Sequence, residues 1–182
     1  MGSLVTEAKG QFAQMLASTL LEWSGYRVVR FGVEETVSEV KATLARGEPT
    51  IRLPQQLRST PDFLVIDTVS GDSMLLEVKF RRTFDDAVAR ELHSCLSAQA
   101  RWWPEAATMV VVADPPGLSG EQYQDFIRII MPDELPLLAT KAPASQRWTR
   151  LATIGSVFSA VHEVPRFHAE ADQLIGVIRA WR

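Results

Sequence analysis

The 182-residue sequence contains a single cysteine, Cys95, and only three histidines. One cysteine cannot form an intramolecular disulfide or a cysteine-based zinc site, which is consistent with a reducing compartment. No apolar run approaches the roughly 20 residues needed to cross a bilayer. Glu7 and Lys9 interrupt the N-terminal segment where a secretory signal needs an unbroken apolar stretch. We therefore expect a cytoplasmic protein without a membrane partner.

The chain also lacks an excess of positive charge, with 19 Lys and Arg against 22 Asp and Glu. Proteins that hold nucleic acid mainly by bulk charge are usually basic, so a nucleic-acid role here requires a local basic patch. Disorder is excluded, because a hydrophobic content of 46% offers ample apolar surface to offset the folding entropy. Without repeats or linkers, we expect one domain over residues 1–182, with a core at about 4–113 and a C-terminal extension at about 120–182.

Hydrophobic periodicity and turn residues predict the order of elements. Up to residue 113 the expected elements are a helix at 4–23, a strand at 26–31, a weaker helix at 33–46, hairpin strands at 62–67 and 73–80, a helix at 84–103 and a buried strand at 108–113. Further on we expect a strand at 126–131, a loop at 132–145 and helices at 147–162 and 165–181. This order predicts an α/β fold with a mixed central sheet flanked by helices.

The clearest chemical signal lies on the hairpin, in Pro61-Asp62 and in Glu77-Val78-Lys79. Side chains alternate along a strand, so Glu77 and Lys79 share a face and Val78 points away. A hairpin loop of two or four residues brings Asp62 to that same face, within about a residue pair of Lys79. A loop with an odd number of residues places Asp62 on the opposite face.

Two carboxylates and an ammonium on one patch are costly unless they are used. Asp62 and Glu77 can supply oxygen ligands to a Mg²⁺ or Mn²⁺ ion that keeps several waters. Lys79 can then orient or help deprotonate a water for attack on a phosphodiester, or stabilise the charge of the transition state. Arg81 and Arg82 extend Lys79 into a basic cluster suited to phosphate contacts.

Pro61-Asp62 and Glu77-Val78-Lys79, with fourteen residues between Asp62 and Glu77, resemble the motif of the PD-(D/E)xK nuclease superfamily. The order of elements resembles that family's restriction-endonuclease-like α-β-β-β-α-β core. Within the family, the start of archaeal-type Holliday-junction resolvases is most similar to Lys9-Gly10, Gln14 and Gly25-Tyr26-Arg27-Val28-Val29-Arg30. The resemblance implies a Mg²⁺- or Mn²⁺-dependent DNA endonuclease, acting on branched or junction DNA as a homodimer. It implies Asp62, Glu77 and the Val78 backbone carbonyl as metal ligands and Lys79 as a catalytic residue.

Two glutamines extend this comparison. Archaeal-type resolvases carry a glutamate in the first helix that contributes to the metal site, and Gln14 stands at its place. An amide is a poorer Mg²⁺ ligand, so either Glu7, two turns earlier, supplies a ligand or the site binds metal weakly. Gln99 resembles a glutamine that RecB-like members place near the active site. Two alternatives stay open: a non-catalytic nuclease-fold subunit that binds DNA or a protein of a larger nuclease or recombination system, and an unrelated α/β domain.

A second basic stretch lies between residues 135 and 162, which include no acidic residue. Lys141, Arg147 and Arg150 form a candidate DNA-backbone surface there, with Trp148 available for stacking. The alternative is a loop and helix whose cations simply reach into solvent. The histidines show no metal-ligand spacing, and Cys95 has no partner for nucleophilic catalysis, so we expect it to be a small buried hydrophobe.

Overall fold

A computed structural model describes residues 4–31, 55–118 and 123–163, together with residues 173, 176 and 177. The helix predicted at 33–46 lies outside the described residues, and so does nearly all of the helix predicted at 165–181. None of the described helices is both long enough and apolar enough to span a bilayer.

The main described elements up to residue 130 follow the predicted order, with two additional short helices. They are α1 (Leu4–Trp23), β1 (Tyr26–Arg30), α2 (Gln55–Arg58), β2 (Phe63–Asp67), β3 (Ser73–Thr83), α3 (Asp86–Gln99), β4 (Ala107–Asp114), α4 (Tyr123–Phe126), β5 (Ile127–Ile130), a 3-10 turn (Pro132–Glu134), α5 (Leu135–Leu138), α6 (Ala144–Arg150), α7 (Ile154–Val157) and a second 3-10 turn (Ser159–Glu163). When the four-residue α2 is left out, the first six elements run α-β-β-β-α-β. The predicted α/β fold class, with a mixed central sheet flanked by helices, is therefore confirmed.

The sheet is mixed. Its five strands lie in the order β1-β2-β3-β4-β5. Among the strands that the structure describes, only β3 and β4 pair in parallel, while the other three neighbouring pairs are antiparallel. A parallel pair needs a crossover, and α3 provides it. β4 lies inside the sheet and is buried along its length except at Asp114, as its unbroken apolar run predicts.

Two apolar cores cover the two faces of this sheet. On one face, Leu76 and Val78 of β3 pack with Met109 of β4 and with α1. On the other face, Val110 and Val112 of β4 pack with α3 and α6. Burying each such side chain contributes roughly 1.5–3 kcal/mol. Because β3 alternates, its odd-numbered residues point to the α3 face.

The β2–β3 turn fixes which residues meet at the other end of the hairpin. The Asp67 N–H donates to the Asp72 carbonyl at 2.8 Å, which leaves residues 68–71 as a four-residue loop. Gly71 adopts φ +79° in that loop, a conformation that glycine enters without steric cost. The loop is even, so the condition that brings Asp62 to the face of Glu77 is met.

The C-terminal region departs from the predicted helix at 147–162. α6 ends at Arg150, and α7 begins only at Ile154. Between them Ala152 forms a bridge with Ile129 of β5, whose N–H donates to the Ala152 carbonyl at 2.9 Å. The backbone has to be extended to make that bridge, which divides the predicted helix.

The predicted strand at 126–131 is present as β5, but the predicted loop at 132–145 contains a 3-10 turn and α5. Pro132 and Pro136 both stand in the first turn of their helices. Proline is favoured there because its missing N–H has no helical partner and its fixed φ suits a helix start. These prolines begin short helices rather than prevent them.

Candidate active site

The site lies where the two hairpin strands part. β3 has 11 residues and β2 has 5, and their pairing ends at Phe63 and Leu76. Within the described part of the chain, β3 continues beyond Leu76 paired with β4 alone. Among the described residues, the backbone edge of residues 77–83 that faces away from β4 therefore has no strand partner.

The Asp62 side chain accepts a backbone hydrogen bond at the point where the β2–β3 pairing ends. Its Oδ2 accepts a hydrogen bond from the Val78 N–H at 2.7 Å, and its Oδ1 accepts one from Gln14 Nε2 at 2.7 Å. Extending the strand register by one residue sets Asp62 opposite Glu77, and directly opposed residues lie on the same face. The structure thus brings the Asp62 carboxylate next to the Glu77-Val78-Lys79 segment.

Glu77 and Lys79 form an ion pair, in which Lys79 Nζ donates to Glu77 Oε1. Glu77 is only 7% exposed, and its second oxygen, Oε2, accepts from Gln99 Nε2 at 3.3 Å. The same Gln99 nitrogen donates to the Ser59 carbonyl at 3.1 Å. Gln99 therefore links α3, the Glu77 carboxylate and the segment after α2.

Two opposing effects act on the Lys79 ammonium. Burial lowers the pKa of Lys79, but the attraction and hydrogen bond of Glu77, together with the attraction of Asp62, leave the pKa above its ordinary 10.5. Opposite charges nearby favour the charged form of a group. In this ion pair Lys79 is a positively charged hydrogen-bond donor at neutral pH.

An open pocket of about 240 Å³ adjoins the ion pair. Glu77 and Lys79 line it together with Gln55, Ser59, Cys95, Ala98 and Gln99. The expectation of a buried Cys95 is wrong, because the side chain is exposed. The position of Cys95 beside the pocket could have been predicted from the sequence, because Cys95 precedes Gln99 by one helical turn and lies on the same helix face. No sequence signal connects Gln55 or Ser59 with the site, because they reach it through long-range packing.

The donor set suits a hard cation. Asp62 and Glu77 offer carboxylate oxygens, and the Val78 carbonyl belongs to the strand segment between Glu77 and Lys79. Mg²⁺ accepts one or two carboxylates and keeps several waters, so these donors fit it. Among residues 4–31, 55–118 and 123–163, no group of three or more His, Cys, Asp or Glu side chains could hold a metal ion. The Glu7 side chain lies outside the described part of the chain.

Gln14 meets Asp62 through its amide nitrogen, which is a hydrogen-bond donor. A donor stabilises the charged carboxylate and fixes its orientation. In this arrangement Gln14 acts on Asp62 and does not present the oxygen that a metal ligand needs.

The predicted basic residues on β3 divide between its faces. Arg81 shares the face of Lys79, and its Nη2 donates to Glu91 Oε1 at 2.7 Å. Arg82 is exposed and, by strand alternation, lies on the opposite face. Of this cluster, only Lys79 and Arg81 border the same space. Lys141 and Arg150 are exposed, far along the chain.

Arg147 and Trp148 are interior residues, which corrects their predicted roles in DNA contact and stacking. Arg147 is 4% exposed, and its guanidinium donates to the Leu138 carbonyl at 2.9 Å and pairs with Asp86. Trp148 is fully buried, and its indole N–H donates to the Asp125 carbonyl at 3.0 Å. These contacts join α6 to α3, α4 and α5.

No family model and no curated protein sequence matches this chain. Among solved structures, the chain is similar to Archaeoglobus fulgidus Hjc, a Holliday junction resolvase from an archaeal hyperthermophile, with 14% sequence identity and a TM-score of 0.42. The match covers 83% of this chain and 96% of that one. At this level of similarity, residue roles have to come from the geometry of the site itself.

Proposed function

We propose that the protein is a divalent-metal-dependent nuclease that hydrolyses DNA phosphodiester bonds, with branched or junction DNA as its substrate. The observation that carries the proposal is the convergence of Asp62, Glu77 and Lys79 beside an open pocket. Two carboxylates and an ammonium in a half-buried place cost folding energy, and a phosphodiester site gives each of them a use. Paired cuts on a junction need two active sites, so the proposed working form is a homodimer of a single-domain chain.

Asp62 and Glu77, with the Val78 carbonyl, are the proposed ligands of Mg²⁺ or Mn²⁺. When bound, the cation supplies Lewis-acid polarisation of the phosphate and a more acidic water. Hydrogen bonds from neighbouring residues orient both carboxylates. Gln14 and the Val78 N–H donate to Asp62, and Gln99 donates to Glu77. Such partners keep ligands in a productive geometry.

Lys79 is the proposed catalytic cation. Negative charge grows on the phosphate oxygens in the transition state, and an ammonium aimed at them stabilises it. Sequence alone left Lys79 as either a water-activating or a charge-stabilising residue. Its geometry favours charge stabilisation, because Lys79 Nζ already acts as a hydrogen-bond donor toward a carboxylate oxygen and can donate to a phosphate oxygen in the same way.

The test is cleavage of end-labelled linear duplex, single-stranded and four-way-junction DNA in Mg²⁺, in Mn²⁺ and in EDTA. We expect products only with metal, most rapidly from the junction. Glu77→Gln, purified in the same way, should lose at least about 100-fold in rate, because losing a residue that merely orients a ligand already costs about 10–100-fold. Glu105→Gln, at an exposed position outside the pocket, is the matched control and should cleave normally. Absence of metal-dependent cleavage on all three substrates contradicts the proposal.

A second candidate is a non-catalytic nuclease-fold subunit that binds DNA or a protein partner. The observation in its favour is that both carboxylates already have partners within the chain, from Gln14 and Val78 on Asp62 and from Lys79 and Gln99 on Glu77. Carboxylates that are already hydrogen-bonded or ion-paired in this way do not need a metal ion to balance their charge. This candidate predicts equal DNA affinity in Mg²⁺ and in EDTA, with no product in either.

A further inference from the structure

Polar side chains face one another in three rows across the space between β3 and α3. On β3 they alternate along one face, and on α3 they recur every four residues along another. The rows are Glu77 with Gln99 at 3.3 Å, Lys79 with Cys95 across the pocket, and Arg81 with Glu91 at 2.7 Å. We call the line formed by these three rows the β3–α3 groove, and the open pocket adjoins its first two rows.

The two strand positions that carry the cations of this groove are spaced like successive phosphates of one strand. Residues two apart on a strand are separated by about 6.6 Å, which is comparable to the distance between successive phosphates of a nucleic-acid strand. Lys79 and Arg81 can therefore contact consecutive phosphates of one strand. Contacts of this kind are independent of base sequence and sensitive to salt.

Arg81 has one backbone partner and one exposed carboxylate partner, and its Nη1 donates to the Phe80 carbonyl at 2.7 Å. Its Nη2 pairs with Glu91, whose side chain is 61% exposed, and ion pairs with such exposure stabilise a fold by about 0–1 kcal/mol. Its buried Nε has no hydrogen-bond partner within the described part of the chain. An unmet buried donor is unfavourable, whereas a phosphate can engage two guanidinium nitrogens at once. A phosphate can thus replace Glu91.

We propose that one DNA strand lies along the β3–α3 groove, with its reacting phosphate at Lys79, the neighbouring phosphate at Arg81, and Glu91 competing for Arg81 until the strand arrives. The inference rests on the proposed function for the position of the reacting phosphate, and it names the substrate contacts of the same site. In the free protein the charges of Lys79 and Arg81 are balanced by those of Glu77 and Glu91. Removing the Glu91 charge should therefore strengthen DNA binding.

The first measurement is the Kd for a fluorescent single-stranded oligonucleotide in EDTA, by anisotropy. Glu91→Gln should lower the Kd about three- to tenfold, as expected for one freed phosphate contact. Arg81→Met should raise the Kd and reduce the slope of log K against log salt by about 0.7. The double variant should match Arg81→Met, because Glu91 acts only through Arg81. Glu105→Gln should bind like the wild type, and an unchanged Kd for Glu91→Gln overturns the competing role of Glu91.

The second measurement uses Cys95, the single cysteine of the chain, as a native reporter in the middle row. Its side chain is exposed, so it should react with a maleimide, and a bound oligonucleotide should slow that reaction at least about tenfold. DNA binding without protection of Cys95 overturns the proposed strand path, and so does a lack of binding. This measurement also decides the matter if Arg81→Met does not fold.

Cleavage assays on the same protein preparations, with Mg²⁺ or Mn²⁺ in place of EDTA, separate the proposed strand path from the proposed nuclease function. Metal-dependent cleavage with an unprotected Cys95 means that the strand path is wrong and the nuclease function stands. Protection of Cys95 together with a tighter Glu91→Gln complex, but without cleavage in any metal, means that the nuclease function fails while the strand path stands.

Discussion

The two ends of the β2–β3 hairpin use the same residue type for the same local task. At the turn, Asp67 Oδ1 accepts hydrogen bonds from the N–H groups of Val69 at 2.8 Å and Ser70 at 3.1 Å. At the open end, Asp62 Oδ2 accepts from the Val78 N–H at 2.7 Å. In both places an aspartate satisfies backbone donors that the strand ladder leaves unpaired.

The surroundings of the two aspartates differ. The turn around Asp67 is exposed to solvent at residues 68–72, and the hydrogen bonds that the Asp67 carboxylate accepts come from residues two and three positions away. Asp62 lies half-buried opposite Glu77, with Lys79 two residues further along β3. Accepting hydrogen bonds from backbone N–H groups is therefore a structural role that both aspartates share. Asp62 is the candidate catalytic residue because it also lies beside a second carboxylate, an ammonium and a pocket.

The largest expected effect separates these two aspartates directly. Asp62→Asn should lower the rate of metal-dependent cleavage by more than about 100-fold, because it removes a proposed metal ligand. Loss of a residue that only orients a ligand already costs about 10–100-fold. Asp67→Asn keeps a capping oxygen at the turn and should leave the rate unchanged. Initial rates on the same labelled junction, with circular dichroism to verify folding, measure both. Equal losses in the two variants would mean that the hairpin matters only as structure.

A smaller effect is expected at Gln14, the side-chain partner of Asp62. In Gln14→Glu a carboxylate replaces the amide donor, so the metal-free protein should lose about 1–3 kcal/mol of unfolding free energy. Mg²⁺ should then raise the melting temperature of Gln14→Glu more than that of the wild type, since a third carboxylate strengthens a hard-cation site.

Gln11→Glu makes the same change one turn earlier, at an exposed position of α1. It should alter neither the stability nor the response to Mg²⁺. If Gln14→Glu is as stable as the wild type without metal, the hydrogen bond between Gln14 and Asp62 does not shape the site.

The hairpin end of the site was predictable because its determinants are local. Alternation along one strand places Glu77 and Lys79 together, and the turn residues around Gly71 set the loop length that controls Asp62. The long helices and the buried β4 were predictable for the same reason, since period and length are visible in a short window of sequence.

The C-terminal predictions failed where tertiary contacts decide. Arg147 and Trp148 look like surface groups in a stretch without acids, but Arg147 finds an acid in Asp86, far away in sequence. The break between α6 and α7 likewise depends on the bridge from Ala152 to β5. No local pattern reports a partner more than 20 positions away, and the contact of the Ser59 carbonyl with Gln99 escaped prediction for the same reason.

A change at the turn should be felt in stability and not in chemistry. Gly71 has φ +79°, and a Cβ added there would meet open space, so Gly71→Ala introduces only backbone strain, about 1 kcal/mol. Gly10→Ala, within α1 and also in open space, should instead stabilise by roughly 0.5–1 kcal/mol. Urea denaturation measures both, and cleavage should be the same in the two variants. A loss of cleavage in Gly71→Ala would mean that the turn and the site are coupled.

The smallest expected effect concerns the charge of Asp67. The N–H groups of Val69 and Ser70 hold the pKa of Asp67 below its ordinary 3.8. A folded-state pKa below the unfolded one gives stability that is fully present above pH 3.8 and is lost as the pH falls through the folded-state value. The difference in unfolding free energy between the wild type and Asp67→Asn should thus be constant near neutral pH and shrink in acid.

Urea denaturation over a series of pH values from neutral to acid measures this trend. Asp67→Ser, which keeps an acceptor oxygen without a charge, is the matched control and should follow Asp67→Asn at every pH. If the difference from the wild type does not change with pH, the carboxylate charge adds nothing to the turn, and the neutral hydrogen bonds alone close it. A charge that stabilises the turn without altering cleavage is what distinguishes Asp67 from Asp62, whose charge is proposed to serve the reaction.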